Sequence, residues 1–347
     1  MRQHKGNNLL VIRLSAMGDV AMTVPVLIAL TQKYPELHLH VVSKPFFEPI
    51  FQGIPNLTFY PAKVKDEHKG VPGLYKLYKV LAAAKINAVA DLHNVLRSKI
   101  LRQFFRISGV PRATIDKGRQ EKKALTRETD KKFIPLKTTH QRYADVFSQL
   151  GYAFSLKGNE FLPKRSLSYK AQELLENSSH KWLGVAPFAA HEGKQYPLEL
   201  MQEAITKIAA NANCKILLFG GGQKETTLLE QIAKDQKQII CVAGKFSFSE
   251  ELAIISQLDG MLSMDSGNGH LAAMFGVPVI SIWGVTHPYA GFAPYGQPEE
   301  NLLLADREKF PLIPTSIYGN KVPPGYEKAM ETISPDRIAD RVIKVLH

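Results

Sequence analysis

Cysteine is scarce. The chain has 347 residues and two cysteines, Cys214 and Cys241, each inside an apolar segment. A disulfide framework is excluded by number, and no Cys or His pair stands at zinc-ligand spacing, so no metal site is expected. Both thiols read as buried, and a reducing compartment fits best. Long apolar runs are missing too: none approaches the roughly 20 residues that a membrane helix needs. The start MRQHKGNN is basic and LLVIRL follows it, but Arg13 and Asp19 break the apolar character and no small-residue cleavage site follows. LLVIRL therefore reads as a first buried strand and not as a signal sequence. The G-x-G-x-x-G fingerprint is absent, which counts against a nucleotide-dependent oxidoreductase, and so is the Walker pattern. No zinc-finger, RRM or KH motif appears and aromatics do not interleave with the basic groups, so no nucleic-acid partner is expected.

Acid is outnumbered. There are 44 Lys and Arg against 32 Asp and Glu, a formal net charge of +12. The excess is concentrated in the first half. One group is Lys63, Lys65, Lys69, Lys76 and Lys79; a second is Arg97, Lys99, Arg102, Arg106 and Arg112; a third runs from Lys117 to Lys137. Such a field favours a polyanion, here an anionic membrane face or a phosphorylated lipid, although a merely soluble basic surface has the same composition.

What is present is alternation. Short apolar runs at 9–14, 37–42 and 87–92, then at 182–186, 215–219, 239–242, 260–264 and 277–283, read as strands. Helical patterns lie between them at 20–33, 95–107, 198–210, 224–234, 249–258 and 269–275. That order predicts parallel sheets with helices on both faces, an α/β chain of two doubly wound domains. The alternation pauses between about Arg112 and Ser168, which puts the boundary near Leu162–Ser168: 1–165, 166–330, and a last helix in 331–347. In that helix Ser334 suits the N-cap, Pro335 the first turn, and Ile338, Val342 and Leu346 one apolar face.

Four motifs stand between a strand and a helix. In R-L-S-A-M-G-D-V, Gly18 permits a tight turn and Asp19 opens a helix, as an N-cap or as something more. In M-D-S-G-N-G-H-L-A-A, Asp265 ends a strand. Ser266, Gly267, Asn268 and Gly269 make a small turn whose N–H groups suit a diphosphate, and His270 lies one turn in. The bland alternative has Ser266 capping and His270 on the surface. F-G-G-G-Q-K-E marks a forced turn or close backbone approach and is weak by itself. In H-E-G-K-Q-Y-P, Lys194 is a point charge near a strand end, or a solvated loop lysine.

Together, in this order, these motifs resemble glycosyltransferase family 9, the lipopolysaccharide heptosyltransferases. The carrying segments run from LLVIRLSAMGDVAMTVPVLIAL through DLHNVLRSKIL, HQRYADVF, GVAPFAAHEGKQYP and LLFGGGQKE to MDSGNGHLAAMFGVPVISIWGVTHP. The resemblance implies a GT-B fold: two Rossmann-like domains with a cleft between them, the acceptor on the first and a nucleotide-diphosphate sugar on the second. It implies inverting transfer with no metal and no cofactor, from ADP-heptose to the inner core of lipopolysaccharide, either Kdo-lipid A or a heptosylated core. Asp19 matches the catalytic base, Lys194 the phosphate-binding lysine, and Asp265 the residue holding donor sugar hydroxyls. Ser266, Gly267 and His270 match the diphosphate seat. Glu225 roughly matches a ribose-contacting acid and Phe246 a residue packing on the base. Arg97, Lys99 and Arg102 are the cations expected to meet a phosphorylated glycolipid acceptor. The chain departs from the family pattern at Ala189 and Ala190, where hydroxyl residues often stand. The expected location is cytoplasmic, peripheral at the inner face of the cytoplasmic membrane. The competing reading is a catalytically silent sugar-nucleotide-binding or adaptor protein, whose signature would be loss of Asp19 or Lys194; both are present.

Overall fold

A computed structural model describes residues 7–175 and 180–347. The basic lead-in MRQHKG lies outside them. The chain forms two compact units, and the first of them comprises the described residues to Lys117 together with Thr139–Leu162. The second joins Gly118–Thr138 to Pro163–His347. The basic stretch after Lys117 thus packs with the second unit although it precedes the last helix of the first.

In chain order the first unit runs β1 (Asn8–Ile12), α1 (Met17–Ala21), α2 (Thr23–Lys33), β2 (His38–Ser43), β3 (Leu57–Pro61), α3 (Gly70–Ala82), β4 (Ala88–Asp91), α4 (Leu96–Ile107) and β5 (Arg112–Thr114). After α5 (Arg119–Thr126), which belongs to the second unit, α6 (Thr139–Gln149) closes it. The five strands are parallel, in the order β3-β2-β1-β4-β5. β1 is central and covered on both sides, which is why LLVI is a continuous apolar run. α2 is buried from Thr23 to Thr31, and Pro25 falls in its first turn, where no backbone donor is lost.

The second unit continues with α7 (Tyr169–Leu175), β6 (Lys181–Ala186), α8 (Leu198–Asn211), β7 (Cys214–Leu218), α9 (Gly222–Ala233), β8 (Ile239–Cys241) and α10 (Phe248–Ile255). Then come β9 (Gly260–Met264), α11 (Gly267–Ala273), β10 (Val279–Trp283), β11 (Leu302–Leu304) and α12 (Pro335–Leu346). Its six parallel strands lie in the order β11-β10-β9-β6-β7-β8. α12 starts at Ser334, whose Oγ accepts the Arg337 N–H at 3.2 Å, and packs Ile338, Val342 and Leu346 into the core with Ile205 and Ile208 of α8. Cys214 and Cys241 are buried there as free thiols, and burial pushes Cys214 up to about 11. Among the described residues no helix is long and apolar enough to cross a membrane.

Strand order fixes where ligands can enter. In the first sheet the winding runs outward from β1 to β3, then reverses through β4 and β5. In the second it runs from β6 to β8, then reverses through β9, β10 and β11. Crevices open at the carboxyl ends of strands where the order reverses: β1 with β4, and β6 with β9.

Candidate active site

At the reversal point of the first unit the chain leaves β1 through Arg13 and enters α1. Asp19 is the third residue of that helix, and the helix opens on Ala16, so Asp19 is not its N-cap. Its carboxylate folds back: Oδ2 meets Arg13 Nη2 at 2.5 Å and accepts the Ala16 N–H at 3.3 Å. Arg13 is buried and is itself pinned, donating from Nη1 to the Leu92 carbonyl at 2.8 Å. The Tyr143 hydroxyl donates to the Asp19 carbonyl at 3.2 Å. One carboxylate oxygen is therefore fixed, while Oδ1 takes no protein hydrogen bond among the described residues, and the side chain is 29% exposed. That is the form of a base held in place with one face open.

The end of β4 supplies the other wall. Asp91 is fully buried, and its Oδ1 accepts the His93 and Asn94 N–H groups at 3.0 and 2.8 Å, turning the chain into α4. Arg102 faces it at 3.5 Å and offsets the buried charge. Arg97 and Lys99 are exposed on α4, Arg97 in its first turn beside this turn. His93 accepts the Leu14 N–H at 3.3 Å through Nδ1. Burial, then the nearby Arg13 guanidinium, push it down to about 3, so it stays neutral at physiological pH.

In the second unit the reversal point brings together residues about 70 positions apart. Lys194 Nζ lies 2.7 Å from Asp265 Oδ2, and Thr286 Oγ1 donates to the same oxygen at 2.9 Å. Asp265 and Thr286 are buried and Lys194 nearly so. The lysine is aimed by its loop. Gly193 N–H reaches the Gly319 carbonyl at 3.2 Å, and Val285 N–H reaches the Gly193 carbonyl at 3.1 Å. Gly319, at φ 76°, lies against the lysine stem: a Cβ there would stand 2.5 Å from Lys194 Cγ. Ser266 precedes α11, yet its hydroxyl makes no cap bond and is shielded without a partner among the described residues. Gly267 opens the helix and His270 is buried within it. Gly269 lets α11 press on the sheet, since a Cβ would meet Ser263 Oγ at 2.7 Å.

Glu225 and Phe246 are the remaining residues expected on the donor side. Glu225, in the first turn of α9, accepts the Gly221 N–H at 2.8 Å and so closes the triple-glycine turn. Phe246 is half-buried, with Lys170 Nζ 4.9 Å over its ring. Ala189 and Ala190 precede the lysine loop as the sequence reads. Among the described residues no group of three or more His, Cys, Asp or Glu side chains is gathered as metal ligands. Sequence reasoning missed Arg13, Tyr143, Asp91, His93 and Thr286 as site residues. Each lay inside a quoted motif; Thr286 and Tyr143 meet partners distant in sequence, whereas Arg13 lies six residues before Asp19 and meets it because the chain between them folds back. Gly319 had no signal at all.

Comparison with known proteins gives the family and the fold. The profile of glycosyltransferase family 9 (heptosyltransferase) matches residues 74–314, well over half the chain, taking in the Lys194 and Asp265 seat but not Asp19. The lipopolysaccharide core heptosyltransferase OpsX of Haemophilus influenzae is 26% identical over 306 residues, covering 83% of this chain and 82% of its own. The crystal structure of the glycosyl transferase family 9 protein from Veillonella parvula superposes with a TM-score of 0.75 at 19% identity, covering 98% of this chain and 97% of that one. The Escherichia coli ADP-heptose lps heptosyltransferase II gives 0.69 at 19% identity, covering 98% of each chain. Two Rossmann-like units of the GT-B kind thus come with a family match that spans most of the second unit and the later part of the first: the chain belongs to glycosyltransferase family 9, the heptosyltransferases, and is a glycosyltransferase.

Proposed function

We propose that this enzyme moves a heptose from ADP-heptose to the inner core of lipopolysaccharide, Kdo-lipid A or a heptosylated core, with inversion and without a metal ion. The observation that carries this reading is the Asp19 carboxylate, fixed on one oxygen by Arg13 and open on the other. In an inverting transfer the acceptor hydroxyl attacks the anomeric carbon on the face opposite the leaving diphosphate. Asp19 Oδ1 takes the hydroxyl proton, the new glycosidic bond forms, and ADP departs with the electron pair of the old one.

The leaving charge needs positive partners that are already in place. Lys194, the N–H groups of the first residues of α11 and His270 supply them, and Asp265, steadied by Thr286, holds sugar hydroxyls. Gly267 keeps the turn open to the phosphates, Glu225 takes the ribose and Phe246 the base. With alanines at 189 and 190, the orphaned Ser266 hydroxyl is the polar group left to reach the diphosphate. Arg97 and Lys99 meet the acceptor phosphates, and Arg102 contributes through Asp91 and the start of α4. The H. influenzae and E. coli relatives, named for lipopolysaccharide core transfer and for ADP-heptose, support the donor and acceptor classes. The basic first half supports work at the inner face of the cytoplasmic membrane.

ADP release tests this directly. The enzyme mixed with ADP-heptose is expected to release ADP only when Kdo-lipid A or heptosylated core is added, and EDTA should leave the rate unchanged. Loss of activity in EDTA with recovery in magnesium contradicts the metal-free reaction, and donor binding without release under any acceptor favours the silent sugar-nucleotide-binding reading.

A further inference from the structure

The outer layer of the first unit carries exposed apolar and basic side chains besides the Arg97 and Lys99 assigned to the acceptor. α3 and α4 lie side by side on one face of the sheet, joined by an aromatic seam. Tyr75 and Tyr78 meet Phe104 at ring separations of 5.3 and 5.5 Å, and the Tyr78 hydroxyl is 2.6 Å from Ser108 Oγ. Each helix buries one stripe, Leu74, Leu77 and Leu81 on α3 and Leu101 and Phe105 on α4. Their outward side is not the polar face that a solvated helix pair normally shows. Val71, Tyr75 and Val80 on α3 and Leu96 and Ile107 on α4 are all exposed, Ile107 to 84%. Lys76, Lys79 and Arg106 are exposed among them. Acid is missing: from Lys69 to Arg112 the one acidic residue is Asp91, which is fully buried against Arg102. An exposed helix pair in water ordinarily interleaves both signs of charge.

We infer that this α3–α4 face seats on an anionic lipid bilayer. Cations without neighbouring acids are attracted to the negative surface, and side chains such as Val80, Leu96 and Ile107 enter the boundary between headgroups and acyl chains. Tyr75, with its ring on the seam and Lys79 Nζ 5.2 Å away, is suited to the same interfacial depth. A nucleic-acid backbone would complement the lysines but has no place for exposed Val, Leu and Ile, so lipid is favoured. The inference rests on the proposed membrane-side acceptor for its purpose but on the helix surface for its chemistry. It gives the membrane a seat at α3 and α4, on the same helix as the Arg97 and Lys99 assigned to the acceptor phosphates.

Sedimentation of the full chain with vesicles tests it, using phosphatidylcholine alone and phosphatidylcholine mixed with phosphatidylglycerol. Lys76→Glu with Lys79→Glu, and separately Val71→Ser with Val80→Ser, should each weaken binding to the anionic vesicles by about tenfold or more. Both pairs should leave thermal unfolding and ADP-heptose affinity unchanged. Should either pair fail to fold, Arg106→Glu with Ile107→Ser probes the same face from α4. Vesicle binding unchanged in folded variants, or equal binding to neutral and anionic vesicles by the parent chain, overturns the inference. So does tighter binding to duplex DNA that only the lysine pair disturbs. The readout does not use turnover: vesicle binding without acceptor-dependent ADP release would sink the proposed reaction and leave the surface standing, and the reverse outcome would do the opposite.

Discussion

Arg13 is buried with one amino group on the Leu92 carbonyl and the other on Asp19, so the carboxylate is oriented before any substrate arrives. Thr286 does the same for Asp265 from a distant loop. Removing that hydroxyl should loosen the acid without breaking its pair with Lys194. Thr286→Val is expected to lower kcat/KM about 5- to 30-fold, mostly through the donor KM, as loss of one bond to a charged acceptor implies; an unchanged donor KM would show that Thr286 only packs. A second acid sits outside both reversal points. Glu251 on α10 is partly buried, and desolvation pushes it up to about 7 from the ordinary 4.5. Between those values the folded state binds more protons than the unfolded one, so this group's contribution falls as pH rises from 4.5 to 7. Glu251→Gln should therefore raise Tm at pH 8 by a few degrees and change it little at pH 4.5; an equal rise at both would place the effect elsewhere. The motif residues Asp19, Lys194, Asp265 and His270 were legible in the sequence because each follows a clear strand. Their partners Arg13 and Thr286 were not: Thr286 reaches Asp265 from a distant loop, and Arg13 meets Asp19 six residues on because the chain between them folds back.

Central strands were legible as apolar runs; of the four edge strands, β8 was legible and the other three were not. β3, β5 and β11 are short and half-covered, so LTFYP, RAT and LLL carry no extended apolar signal. α3 was missed because GVPG opens it, two glycines and a proline that read as a loop, although Leu74, Leu77 and Leu81 recur at helical spacing. The stretch between Arg112 and Ser168 was legible as a pause, but not its packing: 118–138 joins the second unit. Lys131 is the reason in part. Its ammonium donates to the Leu125, Leu312 and Pro314 carbonyls at 3.1, 2.7 and 2.7 Å, and burial holds its pKa down to about 8. Arg307 covers Phe133 from 3.4 Å and donates to the Ile313 carbonyl. Part of the basic excess thus fastens backbone and has no outside partner to find. Lys131→Met should destabilise the protein by about 1–3 kcal/mol, because three carbonyls lose a charged donor. Lys132→Met, at an exposed neighbour, should change it by less than about 0.5 kcal/mol. Equal Tm values for the two variants would remove this role from Lys131.

At the scale of the whole molecule, two parallel sheets each reverse their winding once, and the proposed reaction draws on residues at both reversals. The first holds a fixed carboxylate with cations near it; the second holds a lysine, an acid and the start of α11. This was legible from sequence because strand–helix alternation implies parallel sheets, and parallel sheets bind at strand ends. Which oxygen of Asp19 is open was not legible, because it depends on where Arg13 and Ala16 lie in space. The most direct measurement is therefore Asp19→Asn, which keeps the shape and removes the proton acceptor. With ADP-heptose and a lipid acceptor, its kcat should fall by roughly a hundredfold or more while the Kd for ADP-heptose stays within about threefold of the parent. A mutant that turns over near the parent rate, or one that loses donor binding in step with turnover, would contradict Asp19 as the base.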